Sequence, residues 1–573
     1  MQTATPVSHL ICLFIISCLG HLGAYAQAPA WQTALAVSSA GTSSVRATAT
    51  DASGNVYVAG SFQGTIRIGQ TTMTSYGLSD IFVAKWDKAT GAFVWAQRGG
   101  GTAEEDVGGL AVNGANVYVT GYYYSSPIAF NGINLTKYPG NSPDIFVLKV
   151  SDAGNLSRIE WAQRAGGTNV DFATGVAVSG TSVYVVGSTA SITATFGSVA
   201  LPGSGADVFV TKLTDAGSSG SFVWAQRAGA AYGDAARAVA ASGPSVYVVG
   251  GFEGPSITFG NTTLTGSGVD ELAFKGFVTK LTDAGATGSF TWAKRCGNPG
   301  SASALAVAVS GAAVYVGGTF TKVATTFGTT VLTNTGSAAT TDVFVTKLVD
   351  AGNDASFGWA QRLGGVNDDR IGGIAVRGNE VYTTGSFSGL ASVGSTSLNS
   401  VGSTNSFVAK LADGGATSSF VWAQQAGGPG YAISQGIALA NAGVWVGGEA
   451  VPPASFGTQL ITSPTANTLG FIALLTDPKL PLATASAGLT AGLRLWPNPA
   501  QTTVNVLLPA LPRGGPATLT LLDGLGRVVQ TIRVLSVAAG WSRILNLTGL
   551  VPGLYHLRVQ ADGQQVSRAL AVE

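Results

Sequence analysis

Apolar and polar positions alternate with a period of two through most of this chain, and the alternating runs return in a fixed order. From Val176 to Arg227 the order is VAVSGTSVYVVG, then ITATFGSVALPGSGADVFVTKLTDAG, then SFVWAQR. In Phe-Val-Thr-Lys-Leu the Lys points away from the Phe/Leu face, and in Trp-Ala-Gln-Arg the Trp and Gln share a face opposite Arg. Both runs therefore predict strands with two distinct sides, and their Val, Tyr, Phe and Thr content agrees. Tryptophans at Trp31, Trp95, Trp161, Trp224, Trp292, Trp359 and Trp422 recur every 63–68 residues. Between them VYVxG-like runs end at Gly60, Gly121, Gly187, Gly250, Gly318, Gly385 and Gly448, and FVTKL-like runs end at Asp87, Asp152, Asp215, Asp283, Asp350, Asp413 and Asp477.

An Asp followed closely by Gly is turn chemistry, so FVTKL, turn and WAQR predict a hairpin. Each unit then holds about four strands, GIAV-like, VYVxG, FVTKL and WAQR, and the unit occurs seven times with no helical period between copies. One such sheet cannot bury its Phe and Trp faces alone, whereas a ring of sheets can. The expected fold is all-β, a seven-bladed β-propeller over residues 27–476. The seventh unit lacks a Trp strand and Trp31 precedes the first, so the segment Trp31-Gln32-Thr33-Ala34 is expected to complete the last blade and close the ring.

Composition narrows the function. Charged residues make up 10% and the formal net charge is +1, which leaves no electrostatic footprint for nucleic acid. No run reaches the roughly 18 apolar residues of a spanning helix. Residues 1–26 predict a cleavable leader, with an apolar core from Leu10 to Leu19 and a small-residue site at Ala24-Tyr25-Ala26. The run Ile15-Ile16-Ser17-Cys18 is similar to a bacterial lipobox, an alternative that would lipidate Cys18. Beyond the leader the only cysteine is Cys296, expected as a packed core residue, and the only histidine is His556, in the tail. Ser-His-Asp, Cys-His and histidine-rich zinc chemistry are thereby excluded from the ring.

The runs GNVYVAGSF, DVFVTKL and WAQRAGG resemble the SBBP propeller repeats of secreted bacterial proteins, which implies a propeller and an extracellular location but no particular activity. Residues 477–490, DPKLPLATASAGLT, read as a linker. Residues 491–573 alternate again and predict a small β-sandwich. Pro497-Asn498-Pro499, the Asp523 to Gly526 turn followed by Arg527, and the Leu550 to Tyr555 run with Gly553, before a closing strand carrying Arg568, resemble the type A C-terminal sorting domain of type IX secretion cargo in Bacteroidota. The resemblance implies export by that machinery, cleavage of the tail, and release or attachment to surface lipopolysaccharide.

Carboxylates are the remaining candidate chemistry. Glu105 or Asp106, then Asp171, Asp234 and Asp369, stand ahead of the GIAV-like strands, where oxygen ligands for Ca²⁺, an acid/base pair or simple turn capping are all compatible with the pattern. Ala302 and Ala432 occupy the same place in the fifth and seventh units, an incomplete ring that favours capping. Asp270 and Glu271 break the repeat inside an enlarged excursion between VYVxG and FVTKL, and are the local candidates for a ligand site. The Arg of WAQR is expected at the surface. The functional expectation is a secreted or surface-attached, non-enzymatic binding or adhesion module that uses the excursion loops. A carboxylate-dependent polysaccharide-degrading enzyme and a structural spacer are the alternatives.

Overall fold

The computed structural model describes residues 29–477, except 231, 267–273, 322–323, 338, 441–442 and 464–466, and residues 493–573, except 509–516, 524–527, 535–540 and 562–563. The leader, most of the linker, Gly526, Asp270 and Glu271 lie outside the described residues. Every regular element among the described residues is a strand, and no helix is long and apolar enough to cross a membrane. The chain divides into two compact units, residues 1–479 and 480–573.

In the first unit the four-strand plan recurs seven times. Sheet 3 has Asp171–Ser179 innermost, then Ser182–Thr189, Asp207–Asp215 and Gly220–Ala228, all antiparallel. Sheets 1 to 7 begin in turn with the innermost strands Thr42–Thr50, Glu105–Asn113, Asp171–Ser179, Asp234–Ser242, Ala302–Ser310, Asp369–Arg377 and Ala432–Ala440. Each innermost strand packs on the next, and that of sheet 7 packs on that of sheet 1. Ala30–Ala36 pairs antiparallel with Leu469–Thr476 and supplies the outer strand of sheet 7.

One glycine per sheet shapes the innermost strand. Gly60, Gly121, Gly187, Gly250, Gly318, Gly385 and Gly448 pair with the residue just before a one-residue bulge on that strand. A Cβ added at Gly187 would stand 1.9 Å from the Phe172 carbonyl oxygen, and at Gly250 2.1 Å from that of Ala235. The VYVxG glycine is therefore what admits the bulged backbone.

Neighbouring sheets are joined by a buried polar clasp. The Asp283 carboxylate of sheet 4 accepts hydrogen bonds from the Tyr184 hydroxyl at 2.7 Å and the Trp224 indole N–H at 3.1 Å, both of sheet 3, and pairs with the Lys212 ammonium at 2.6 Å. Asp152, Asp215, Asp350 and Asp413 receive the same Lys, Tyr and Trp trio from the sheet before. Asp477 receives Tyr382 and Lys410, both at 2.8 Å. Burial opposes ionisation of these aspartates most strongly, but the Lys, Tyr and Trp donors together outweigh it and hold Asp152, Asp215, Asp283, Asp350 and Asp413 below the ordinary carboxylate range. Between sheets 7 and 1 the clasp is replaced: Trp445 and Leu474 stand in the Tyr and Lys places, and Trp445 packs on Trp86 with ring centroids 4.7 Å apart. Asp87, which would be the acceptor, caps its own turn by accepting from the Thr90 N–H at 2.8 Å.

The excursions are hairpins. Thr193–Phe196 with Val199–Pro202 extends the outer strand of sheet 2, and Leu390–Val393 with Thr396–Asn399 extends that of sheet 5. Bridges from Ala129, Thr258, Thr326 and Ser455 make the same connection in units 2, 4, 5 and 7. Their inward aromatic rings pack on the FVTKL phenylalanines, as in Phe259–Phe277 at 4.8 Å and Phe327–Phe344 at 4.6 Å. These segments, expected as variable recognition loops, thus spend one face on holding adjacent sheets together.

The second unit has a three-stranded sheet, Arg494–Trp496, Thr503–Leu508 and Trp541–Asn546, and a four-stranded one in the order Val528–Val534, Ala517–Leu522, Gly553–Ala561 and Gln564–Val572. Val504, Val506 and Leu545 of the first share one core with Leu519, Leu521, Leu557 and Leu570 of the second.

Candidate functional site

The seven bulges place Arg46, Gly108, Thr174, Arg237, Leu305, Gly372 and Gln435 around one cavity. Three consecutive residues from each of the seven innermost strands line its narrow part, about 220 Å³. It widens to about 530 Å³ where Val107, Tyr122, Phe172, Ser188 and Ile371 join the wall. Tyr122 and Ser188 lie at the ends of second strands and Phe172 at the start of an innermost one, so the wide mouth opens at the edge from which the excursion hairpins spring.

The two arginines are in different electrostatic states. Arg46 pairs with Asp106 at 3.2 Å and donates to the Gln435 side-chain oxygen at 3.2 Å. Burial works against its charge, but Asp106 and then Glu449 outweigh that and raise its pKa. Arg237 is exposed on the cavity wall and has no hydrogen bond or ion pair among the described residues; partial enclosure lowers its pKa from the ordinary arginine value. Beside them Tyr122 and Phe172 make an edge-to-face pair at 4.7 Å. Burial, then Asp106 and Glu104, push the Tyr122 hydroxyl up to about 12, so it is a neutral donor at physiological pH. The arrangement offers one paired cation, one unpaired cation, an aromatic wall and small polar groups. Glu104 and Glu449 stand close to Tyr122 and Arg46 at the edge of this wall.

The sequence-predicted acids do not converge. Asp106 belongs to the cavity through Arg46, and the residue equivalent to the other three is its neighbour Glu105. Glu105, Asp171, Asp234 and Asp369 sit buried in four separate sheets, each accepting the backbone N–H four residues upstream, at 3.0, 2.8, 2.9 and 2.8 Å from Gly101, Gly167, Ala230 and Gly365. Each also faces a buried aspartate that opens the third strand of the preceding sheet: Asp80, Asp144, Asp207 and Asp342. No group of three His, Cys, Asp or Glu converges on one point among the described residues. The WAQR arginines, expected at the surface, correct the sequence reading: Arg98, Arg227 and Arg362 pair with the buried Asp80, Asp207 and Asp342 at 2.6, 2.5 and 2.8 Å. Cys296 is buried, and desolvation raises its thiol pKa.

The bulge residues escaped the sequence reading because a one-residue bulge breaks the two-residue period where they lie. A signal was present: in an otherwise repeated strand, this position reads Arg, Gly, Thr, Arg, Leu, Gly and Gln across the seven units.

In the second unit Asn498 donates to the Ala569 carbonyl and accepts from the Ala571 N–H, both at 2.9 Å, tying the Pro497-Asn498-Pro499 turn to the last strand. Tyr555 donates to the Val551 carbonyl at 2.8 Å, closing the Gly553 turn. Arg568 and Asn498 share a groove of about 500 Å³ with Leu495 and Trp496. Asp523 directly follows the Ala517–Leu522 strand, next to residues outside those described.

Residues 494–573 match the family described as the secretion system C-terminal sorting domain. A chain carrying this type IX sorting domain is handled by that secretion system and is secreted or attached to the outer-membrane surface. Among solved structures, Trypanosoma rangeli sialidase in complex with sialic acid is similar over 94% of this chain and 88% of its own, at 8% identity and a TM-score of 0.33. A mutant of that sialidase displaying trans-sialidase activity is similar over 95% and 89%, at 8% identity and 0.32. Dimeric latent PorU from Porphyromonas gingivalis is similar over 64% of this chain and 31% of its own, at 11% identity and 0.13. No curated protein matches the chain in sequence.

Proposed function

We propose that residues 27–476 form a seven-bladed β-propeller, followed by a small sorting sandwich, and that the propeller is an extracellular binding module whose ligand enters the axial cavity from the hairpin-bearing face. The observation that carries this reading is the distribution of sameness. Clasp, bulge glycine and hairpin aromatic recur because the fold needs them, whereas the bulge position differs almost from unit to unit and points its side chains at one cavity. Asymmetry on a symmetric scaffold is where specificity belongs. The hairpins extend the outer strands, so their Thr faces, such as Thr258 with Thr263, lie at the periphery of the same face. A surface glycan or protein is the expected partner class.

The test is a glycan array probed with the full chain, with product analysis on each polysaccharide bound. Tyr122→Ala and Gln435→Ala should weaken binding at least about ten-fold, while Arg158→Ala, an exposed outer-strand change, should not. Binding indifferent to both axial changes sinks the axial reading, and turnover of a bound polysaccharide would make the protein an enzyme.

A further inference from the structure

Arg237 is the anomaly of the first unit. Its neighbours in chain and ring hold it in place: the Thr174 hydroxyl of sheet 3 donates to the Ala236 carbonyl at 2.9 Å, fixing the bulge, and the Gly250 opposite leaves room for it. The guanidinium makes no bond to any described residue, and no carboxylate stands close enough to offset its charge. Arg237 is exposed on the cavity wall, so its fork of N–H donors is open to a ligand that brings two acceptors. Arg46, Arg98, Arg227 and Arg362 each pair with a carboxylate.

Resting on the axial reading above, we propose that the cavity recognises a ligand through a single carboxylate, held bidentately by Arg237, with the ligand's ring against the Tyr122–Phe172 pair. The guanidinium fork matches the two oxygens of a carboxylate and gives two charge-assisted bonds at once. The charge count selects a monoanion. Arg46 is already engaged by Asp106 and Gln435, so one positive charge faces the cavity, whereas a phosphate dianion calls for more than one. In ring order Tyr122 and Phe172 come from sheets 2 and 3, Thr174 from sheet 3, Arg237 from sheet 4 and Leu305 from sheet 5. An aromatic wall and an apolar residue therefore flank the cation on either side, which suits an acidic sugar or an aromatic acid with a flat face.

The full chain, labelled with ¹⁵N-arginine, is titrated with sodium benzoate, sodium D-glucuronate, neutral D-glucose and D-glucose 6-phosphate, with the Arg237 side-chain resonance identified by its absence from Arg237→Lys. The expected result is that one or both carboxylates move the Arg237 Nε–H resonance saturably while glucose does not. Calorimetry on the binding carboxylate should show at least about ten-fold weaker binding to Arg237→Ala, intermediate loss in Arg237→Lys, which keeps the charge without the fork, and no change in Arg158→Ala. Unfolding curves on each variant separate lost binding from lost fold. If neither carboxylate moves the resonance, or the phosphate binds more tightly, the carboxylate assignment is wrong. Glycan binding that needs Tyr122 and Gln435 but ignores ligand charge would overturn this assignment and leave the axial site standing; binding that ignores all axial residues overturns both.

Discussion

At the scale of single residues, the inter-sheet aspartates separate two roles that look identical in sequence. All seven FVTKL runs end in Asp before a turn, so each reads as a turn cap. Six of them also accept a buried Lys and a Tyr from the preceding sheet, and only Asp87 is left with the cap alone. Asp283→Asn removes the countercharge from Lys212, which is buried against it, and leaving one member of a buried pair uncompensated costs about 3–5 kcal/mol. Asp87→Asn keeps a turn-capping oxygen at an exposed site and should change stability little. Urea unfolding of the two variants checks this, and equal effects would show that the clasp contributes no more than the turn. The sequence carried a signal of the clasp: the unit that loses the Lys, at Leu474, also exchanges Tyr for Trp445. It went unread because strand alternation assigns Lys to the face opposite Phe, and in a packed array of sheets that face meets another sheet.

Between elements, the buried acids occur as pairs that come and go together. Asp80 faces Glu105, Asp144 faces Asp171, Asp207 faces Asp234 and Asp342 faces Asp369. Where the third strand instead opens with Lys275 or Asn405, the partner place holds Ala302 or Ala432. Burial foremost, with the facing carboxylate adding to it, pushes Asp144, Asp234 and Asp369 up to about 7 against the backbone donors Tyr138, Ala230 and Gly365. In each such pair one proton is retained below pH 7. The sign follows from linkage: these groups bind a proton more tightly folded than unfolded, so their contribution to stability is full below the unfolded carboxylate value of about 3.9 and is lost as pH rises through about 7. The clasp aspartates act in the opposite sense, losing their contribution only as pH falls below the ordinary carboxylate range. Stability should therefore be greatest near pH 4 and decline between about pH 4 and 7. Thermal unfolding across that window tests this, with Asp369→Asn flattening part of the slope. A melting temperature that rises from about pH 4 to 7 would remove the shared-proton account.

Across the whole first unit, the repeat made the strand plan and the places of the VYVxG glycines legible, because periodic burial and periodic sequence have one cause. What it concealed was whatever departs from the period: the bulge residues facing the cavity, and the single junction built differently from the rest. Between sheets 7 and 1 no Lys–Asp clasp forms. Trp86, Trp445 and Ile472 instead pack in one apolar cluster with Val45, Val58 and Phe82, and the indole N–H groups of Trp31 and Trp86 are buried without a hydrogen-bond partner. Two unsatisfied donors at one seam carry a desolvation cost of about 1–3 kcal/mol each that most of the clasped junctions avoid. The two ends of the unit also meet there, held by the pairing of Ala30–Ala36 with Leu469–Thr476. Local opening should accordingly begin at this seam. In native-state hydrogen exchange, the amides of Ala30–Ala36 and Thr42–Thr50 should exchange through lower-energy openings than the matching strands Gly220–Ala228 and Asp234–Ser242. Trp86→Ala, which empties the apolar side of the seam, should widen that difference while leaving the exchange of sheet 4 nearly unchanged, because each sheet contacts only its neighbours. Uniform protection around the seven sheets would mean that the apolar junction holds as well as the clasped ones, and the closing strand would then be no weaker than any other part of the ring.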